Sequence, residues 1–286
     1  GLNLIRELEK LDYKTVYLSN SSQNLLVELI KFDLNDLSKY KDSIIDFNPD
    51  IVIHLAWLGI PDYSQSNSLK NLNLSIEFLN LIIDKTDCFK IIITGSCWEY
   101  GKQIGVCNEK DILNLNSYFS WAKASLYNYV NHKCNEADIS LLWLRLFYVY
   151  GPGQRSISLI QNLIENIHDN NVPEILYPNN RNDFVYVGDV VEVILKALKF
   201  DVPSGIYNVG SGRTSSVYEV CLEVESQLLN NDIISKTILK NGKNNANVDF
   251  YANVEKTLKF IKYKTTTSLS EGINFQLQYF LTKRNK

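Results

Sequence analysis

The sequence predicts an α/β protein built on a parallel sheet, and two observations carry that expectation. Apolar runs of strand character alternate with stretches of helical spacing along the first half of the chain. One run, Ile91-Ile92-Ile93, is apolar at three successive positions. Neighbouring strand residues point to opposite sides, so such a run fits a sheet covered on both faces.

The elements follow in order. Leu2 to Lys10 carries apolar residues at 2, 4, 5 and 8, a helical spacing. Thr15 to Leu18 is a short β-rich run, and Leu25 to Ile30 reads as helix. Ile51 to Ala56 reads as a strand entered through Pro49-Asp50, within an apolar run that extends to Ile60. A helix is expected over Leu69 to Asp84, a strand over Lys90 to Thr94, a helix over Ser117 to Cys134 and a strand over Ile139 to Phe147. Beyond Gly151 the texture changes, with Gly151-Pro152-Gly153 and Gly210-Ser211-Gly212 as turns. Helices are expected there at Ile157 to Asn166, Val190 to Lys199 and Val217 to Leu229. Asn241 to Asn247 reads as an exposed loop, and Tyr279 to Lys286 as a helix end with a basic tail. Residues 1–150 thus form one domain, to which 183–200 returns, and 151–286 form mainly a smaller lobe.

Composition narrows the function. The chain has 286 residues, 45% hydrophobic and 21% charged, enough apolar material for a sizeable core. A net charge of −3 provides no basic field for nucleic acid or an anionic membrane. No apolar run reaches the length of a membrane span. The five cysteines, Cys88, Cys97, Cys107, Cys134 and Cys221, contain no CxxC pair. Reduced thiols and a cytoplasmic location fit that usage, and a zinc site does not. The histidines His54, His132 and His168 form no ligand pattern, and His54 inside its apolar run reads as a core histidine. The chain begins at Gly1 and has no methionine, which reads as a fragment or a processed chain.

Parallel sheets bind ligands outside the carboxyl ends of their strands. Attention therefore falls on the residues after Leu18, Leu55, Thr94 and Phe147. After Thr94 stands Gly95-Ser96-Cys97-Trp98-Glu99-Tyr100-Gly101, and Asn116-Ser117-Tyr118-Phe119-Ser120-Trp121-Ala122-Lys123 opens the next helix. Together these resemble the active site of extended short-chain dehydrogenases/reductases, in particular the NAD(P)-dependent epimerase/dehydratase family that acts on nucleotide sugars. The resemblance extends along nearly the whole chain. Gly1-Leu2-Asn3-Leu4 resembles the stretch opening at the third glycine of the dinucleotide loop, where glycine permits close packing of helix on strand. Asp33-Leu34 resembles the pair that meets adenine, and Leu55-Ala56 the strand end lining the cofactor. Asn73 resembles the family's helix asparagine, with Asn71 as the rival register. Leu144 to Pro152 resembles the family's Arg-x-x-Asn-x-Tyr-Gly-Pro, with Tyr148 where asparagine is usual. Arg181 to Val190 resembles the family's Arg-Asp-Phe-x-x-Val-Asp-Asp-Val segment, and Tyr207 to Arg213 the Tyr-Asn-x-Gly turn of the substrate lobe.

The resemblance implies a Rossmann-type doubly wound sheet lacking its first strand, with a smaller α/β substrate lobe. It implies NAD or NADP as cofactor, a nucleotide-diphosphate sugar as substrate and a homodimer formed through the helices at 69–84 and 117–134. Ser96, Tyr118 and Lys123 become the catalytic candidates, Lys123 also binding the nicotinamide ribose. Gly1, Ser19, Asp33, Leu34, Leu55, Ala56 and Asn73 become the cofactor ligands, and Tyr148, Arg155 and Arg213 the substrate ligands. An arginine suits diphosphate because its guanidinium can pair two oxygens.

One position departs from the pattern. The family places its catalytic tyrosine four residues before the lysine, and here that residue is Phe119. Tyr118 lies one step earlier, about 100° around a helix. Three readings follow: an irregular helix start turns Tyr118 inward, Glu99 or Tyr100 serves as acid/base, or hydride chemistry is altered or lost. Family dehydratases place acids directly behind the Ser or Thr, whereas Cys97 and Trp98 stand here, so epimerisation or 4-keto reduction is favoured over dehydration. Leu18-Ser19-Asn20 offers no acid for the ribose hydroxyl, which leans toward NADP and leaves NAD open. A nucleotide-binding protein without catalysis, or a small-carbonyl reductase, are the readings from other classes.

Overall fold

The computed structural model describes residues 1–11, 13–19, 29–102, 104–199, 201–243 and 247–284. The chain runs through α1 (Leu2–Leu8), β1 (Tyr17–Ser19), β2 (Leu29–Lys31), α2 (Lys41–Phe47), β3 (Ile51–His54), α3 (Gln65–Lys85) and β4 (Lys90–Ser96). It continues through β5 (Ile104–Cys107), α4 (Tyr118–Glu136), β6 (Ser140–Leu146), β7 (Tyr148–Tyr150) and α5 (Leu159–His168). Then come β8 (Arg181–Asn182), β9 (Phe184–Tyr186), α6 (Val187–Lys199), β10 (Gly205–Val209), β11 (Ser215–Ser216) and α7 (Val217–Leu229). The last elements are α8 (Ile233–Asn241), β12 (Asp249–Ala252), α9 (Glu255–Phe260) and α10 (Leu269–Arg284). The chain divides into two compact units. The first comprises Gly1–Gly101, Ile112–Arg145 and Ile194–Tyr207; the second comprises Lys102–Asp111, Leu146–Val193 and Asn208–Lys286.

In the first unit a four-stranded sheet has the order β10-β6-β4-β3, and β1 and β2 form a separate parallel pair. β3 and β4 run parallel with Ile51 opposite Lys90 and His54 opposite Ile93. Ile91, Ile92 and Ile93 are all fully buried, so both faces of the sheet are covered, as the apolar run predicts. The core gathers Val52, Phe78, Leu79, Ile82, Leu126 and Trp143 among others. α3 and α4 lie side by side, joined at their surface by Tyr129 donating to Asn80 and by Lys133 pairing with Asp84.

Two local expectations fail. Leu25 to Ile30 is not wholly helical: Leu29 and Ile30 belong to β2, paired with Tyr17 and Leu18, while residues 25–28 lie outside the described set. A short apolar run carries no period that separates strand from helix, and sheet pairing decides. The strand expected over Ile51 to Ala56 stops at His54, and residues 58–61 form a turn.

The second unit has its own sheet, ordered β11-β8-β12-β5, with β12 parallel to both β5 and β8. A parallel β7–β9 pair accompanies it. A separate core of Tyr150, Ile160, Leu163, Val220, Ile238 and Ile273 ties α5, α7, α8 and α10 together. The five cysteines form no disulfide with one another, and all are buried. Among the described residues no helix is long and apolar enough to cross a membrane, and no cluster of side chains could hold a metal ion.

Candidate active site

β4 delivers Ser96 at its carboxyl end, where the chain turns into a short 3₁₀ helix over Cys97–Tyr100. Ser96 caps that helix: its Oγ accepts from the Trp98 amide at 3.2 Å. Its own amide donates to Glu99 Oε1 at 2.8 Å, completing a capping box. Gly95 is needed there, because a Cβ would fall 2.1 Å from Trp143 Nε1 and 2.6 Å from Glu99 Oε1.

Glu99 is fully buried and faces inward from this turn. Arg145 Nε donates to Oε2 at 2.8 Å, and Trp143 Nε1 lies 3.1 and 3.2 Å from the two carboxylate oxygens. Tyr100 is also fully buried, with the Arg145 guanidinium 4.5 Å from its ring centre. Both alternative acid/base groups are thus enclosed by protein partners.

α4 opens with a regular cap, Ser117 Oγ accepting from the Ser120 amide at 3.1 Å. The irregular start that would turn Tyr118 inward does not occur. Tyr118 is 52% exposed, whereas Phe119 and Lys123 are 6% and 5% exposed on the buried face. Residues four apart share a helix face, and one step moves a side chain about 100° away. Phe119 is enclosed by aromatic rings, with centroids 5.4 Å from Trp57, 5.0 Å from Tyr63 and 5.8 Å from Trp98.

Lys123 is the charged group of this face. Its Nζ donates to the Thr94 carbonyl at 2.8 Å and lies 4.2 Å from the Trp57 ring centre. Loss of hydration lowers its pKa to about 8, against the opposing pull of the Glu99 carboxylate. His54, at the end of β3, is a core histidine as expected. Its Nε2 is 3.2 Å from Ser75 Oγ and its ring stacks on Phe78. Burial, then the charge of Lys123, lowers its pKa to about 3.

Five of the expected cofactor ligands line one cavity of about 570 Å³ along β1 and β3: Gly1, Ser19, Leu34, Leu55 and Ala56. Trp57 lines it too and links it to Lys123. Its indole Nε1 is buried and has no hydrogen-bond partner. Three of the expected residues have other surroundings. Asp33 does not line the cavity; its carboxylate caps the following turn, accepting from the Asn35 amide at 2.9 Å. Asn73 is exposed, and Asn71 is the buried asparagine. Asn71 Oδ1 accepts from the Leu58 amide at 2.6 Å and its Nδ2 donates to the Leu58 carbonyl at 3.0 Å, holding the segment that carries Trp57. Two residues along a helix are about 200° apart, so only one of the two can face inward. A Cβ at Gly1 would meet nothing within 4 Å. Asn20 lies outside the described residues.

The expected substrate ligands belong to the second unit. Arg213 is exposed at the Gly210-Ser211-Gly212 turn. Buried Asp183 shapes that turn, accepting from the Ser211 amide at 2.6 Å and the Gly212 amide at 3.0 Å. Tyr148 is half-buried against Phe184 and Phe250, and Arg155 is exposed on the loop before α5. The sequence reading missed the cluster formed by Trp57 and Tyr63 around Phe119. Trp57 lies three residues beyond the end of β3, and that place outside a strand's carboxyl end is the one signal that could have found it.

Comparison with known proteins gives the family and the fold. Residues 1–210 match the model of the NAD dependent epimerase/dehydratase family. The dTDP-4-dehydro-6-deoxyglucose reductase of Escherichia coli is 24% identical over 239 residues, 79% of this chain and 73% of that protein. The UDP-glucose 4-epimerase of Thermotoga maritima, solved with UDP-glucose, superposes with a TM-score of 0.82 at 18% identity, covering 99% of this chain and 96% of its own. MoeE5, solved with UDP-glucose and NAD, gives 0.83 at 24% identity, covering 100% and 95%. With the family matched across most of its length and the α/β fold shared with these structures, the chain belongs to the NAD-dependent epimerase/dehydratase family.

Proposed function

We propose that the protein transfers hydride at a sugar carbon of a nucleotide-diphosphate sugar, as an epimerase or a 4-ketoreductase using NAD or NADP. The observation that carries this reading is Lys123, buried at the carboxyl end of β4 beside the family's serine position. A buried lysine is costly unless a partner or ligand uses its charge. Ser19, Leu34, Leu55 and Ala56, the residues matching the family's cofactor positions, lie together along a cavity whose remaining lining is largely apolar, and the Trp57 indole N–H there is a buried donor without a partner. When bound there, the dinucleotide supplies the hydride acceptor or donor. Lys123 anchors the ribose, and the Ser96 hydroxyl steadies charge developing on the sugar oxygen.

Dehydration is disfavoured on the same geometry. Cys97 and Trp98 follow Ser96, and the nearest acid, Glu99, is occupied by Arg145 and Trp143. Ser19 carries no charge to repel a 2′-phosphate, so NADP is accommodated as readily as NAD. Arg213, Arg155 and Tyr148 of the second unit are the proposed ligands of the nucleotide sugar. A homodimer through α3 and α4 is in keeping with exposed Leu69, Trp121 and Tyr129 on those helices, and light scattering would measure it.

The test follows nicotinamide absorbance with UDP-glucose, dTDP-glucose and a nucleotide 4-ketosugar, together with product analysis for epimers. The expected result is cofactor binding and turnover of at least one of them. Cofactor binding without turnover of any would favour a binding protein instead. Carbonyl reduction without affinity for nucleoside diphosphates would favour a small-carbonyl reductase.

A further inference from the structure

Moving hydride to or from a sugar carbon also requires a group that moves a proton on the oxygen. Phe119 has no ionisable atom, and Tyr118 leaves the buried face. The Glu99 oxygens accept from Ser96, Trp143 and Arg145. Tyr100 is sealed under the Arg145 guanidinium. His54 points to Ser75 from inside the core. Lys123 is as buried as His54, but it is the ionisable group on the Phe119 face of α4, and its amine stands against the ring of Trp57, which lines the cavity.

We propose that Lys123 itself is the proton-transfer group, replacing the hydroxyl that Phe119 lacks. The proposal rests on the hydride-transfer reading above. In the oxidative direction the neutral amine of Lys123 takes the proton of the sugar hydroxyl. The C–H electron pair leaves as hydride to the nicotinamide, a C=O bond forms, and the new ammonium returns its proton to solvent. In the reductive direction the ammonium gives its proton to the carbonyl oxygen as hydride reaches the carbon.

The surroundings make both protonation states accessible. One N–H of Lys123 is held by the Thr94 carbonyl, and the Trp57 face lies against the amine. Glu99 favours the charged form, but Arg145 from β6 pairs with Glu99 and offsets it. His54 from β3 is neutral above its lowered pKa, and Tyr127, on the next turn of α4, lies in the field of Arg145 and Glu99. With a pKa of about 8, about a tenth of Lys123 is neutral at pH 7.

The experiment uses the intact protein with NAD, and UDP-glucose and dTDP-glucose as probes, following nicotinamide absorbance in single turnovers across pH. The rate of NAD reduction should rise about tenfold per pH unit below about pH 8 and level off above it. Lys123→Arg keeps the charge but cannot give up a proton, so reduction should fall at least ~100-fold. NAD affinity, read by tryptophan quenching, should stay within about tenfold. Should Lys123→Arg fold poorly, nitrogen-15 lysine NMR of the wild type supplies a second measurement, with one lysine titrating near pH 8. Tyr63→Phe, against the Phe119 ring, should change the rate less than about threefold. A rate flat through pH 8, retained turnover in Lys123→Arg, no lysine titrating near pH 8, or a two-decade loss in Tyr63→Phe overturns the assignment to Lys123 alone. Wild-type protein that binds NAD and reduces it with neither probe overturns the hydride-transfer reading, and this proposal with it.

Discussion

Replacing Glu99 by glutamine should unsettle the first unit more than its conservative chemistry suggests. Glu99 and Arg145 are 0% and 1% exposed and paired at 2.8 Å. The glutamate offers two acceptor oxygens to three donors: the Ser96 amide, Trp143 Nε1 and Arg145 Nε. Glutamine keeps one acceptor, turns an NH₂ group toward a donor and removes the carboxylate charge paired with the guanidinium. Breaking a buried pair on one side costs about 3–5 kcal/mol. At about 2–4 °C per kcal/mol for a protein of this size, the melting midpoint should fall by about 6–20 °C. The assay is urea and thermal unfolding of wild type, Glu99→Gln, and a Glu99→Met/Arg145→Leu double variant. Removing both partners should recover most of the loss, because no charge is then stranded. A Glu99→Gln variant within about 1 kcal/mol of wild type would refute the pairing as a source of stability, and a double variant worse than the single would refute the stranded-charge account.

Two further outcomes follow from the same unit. His54 has a folded pKa lowered from 6.5 to about 3, so the unfolded chain binds its proton first as pH falls. Its contribution is therefore present above pH 6.5 and is lost at about 1.4 kcal/mol per pH unit between there and pH 3; urea midpoints across that range should lose this slope in His54→Gln. Asn71→Ala should cost about 1–3 kcal/mol, because it strands the Leu58 amide while the Leu58 carbonyl keeps Asn67 Nδ2 as a donor, whereas Asn73→Ala should stay within about 0.5 kcal/mol in the same measurement.

Much of the first unit is legible in the sequence because its elements are long or strongly apolar. α3, α4, β4 and β6 each have a period or a continuous apolar run that survives any tertiary arrangement. The Leu25 to Ile30 stretch has neither, and β2 is decided by its partner β1. The site divides in the same way. Ser96 and Lys123 are legible as chemistry at a strand end and on a helix face. The choice between Asn71 and Asn73 is not, since it depends on which face of α3 meets the turn at Leu58. Asp33 reads as a cofactor ligand in the sequence, and in the fold its Oδ1 also caps the next turn, because a short side chain reaches the nearest amide.

What the sequence determined by itself is local: the alternation of strands and helices, and the absence of a hydroxyl four residues before Lys123. Those facts follow from residue order and backbone periodicity. What only the tertiary structure decided is how the acid and the lysine are used. Glu99 is tied to Arg145 and Trp143, 46 and 44 residues away, and Lys123 to the Thr94 carbonyl, 29 residues away. Such partners meet only when β4, β6 and α4 pack. Burial then removes the water that would otherwise satisfy each charge, so each must find its partner inside the protein.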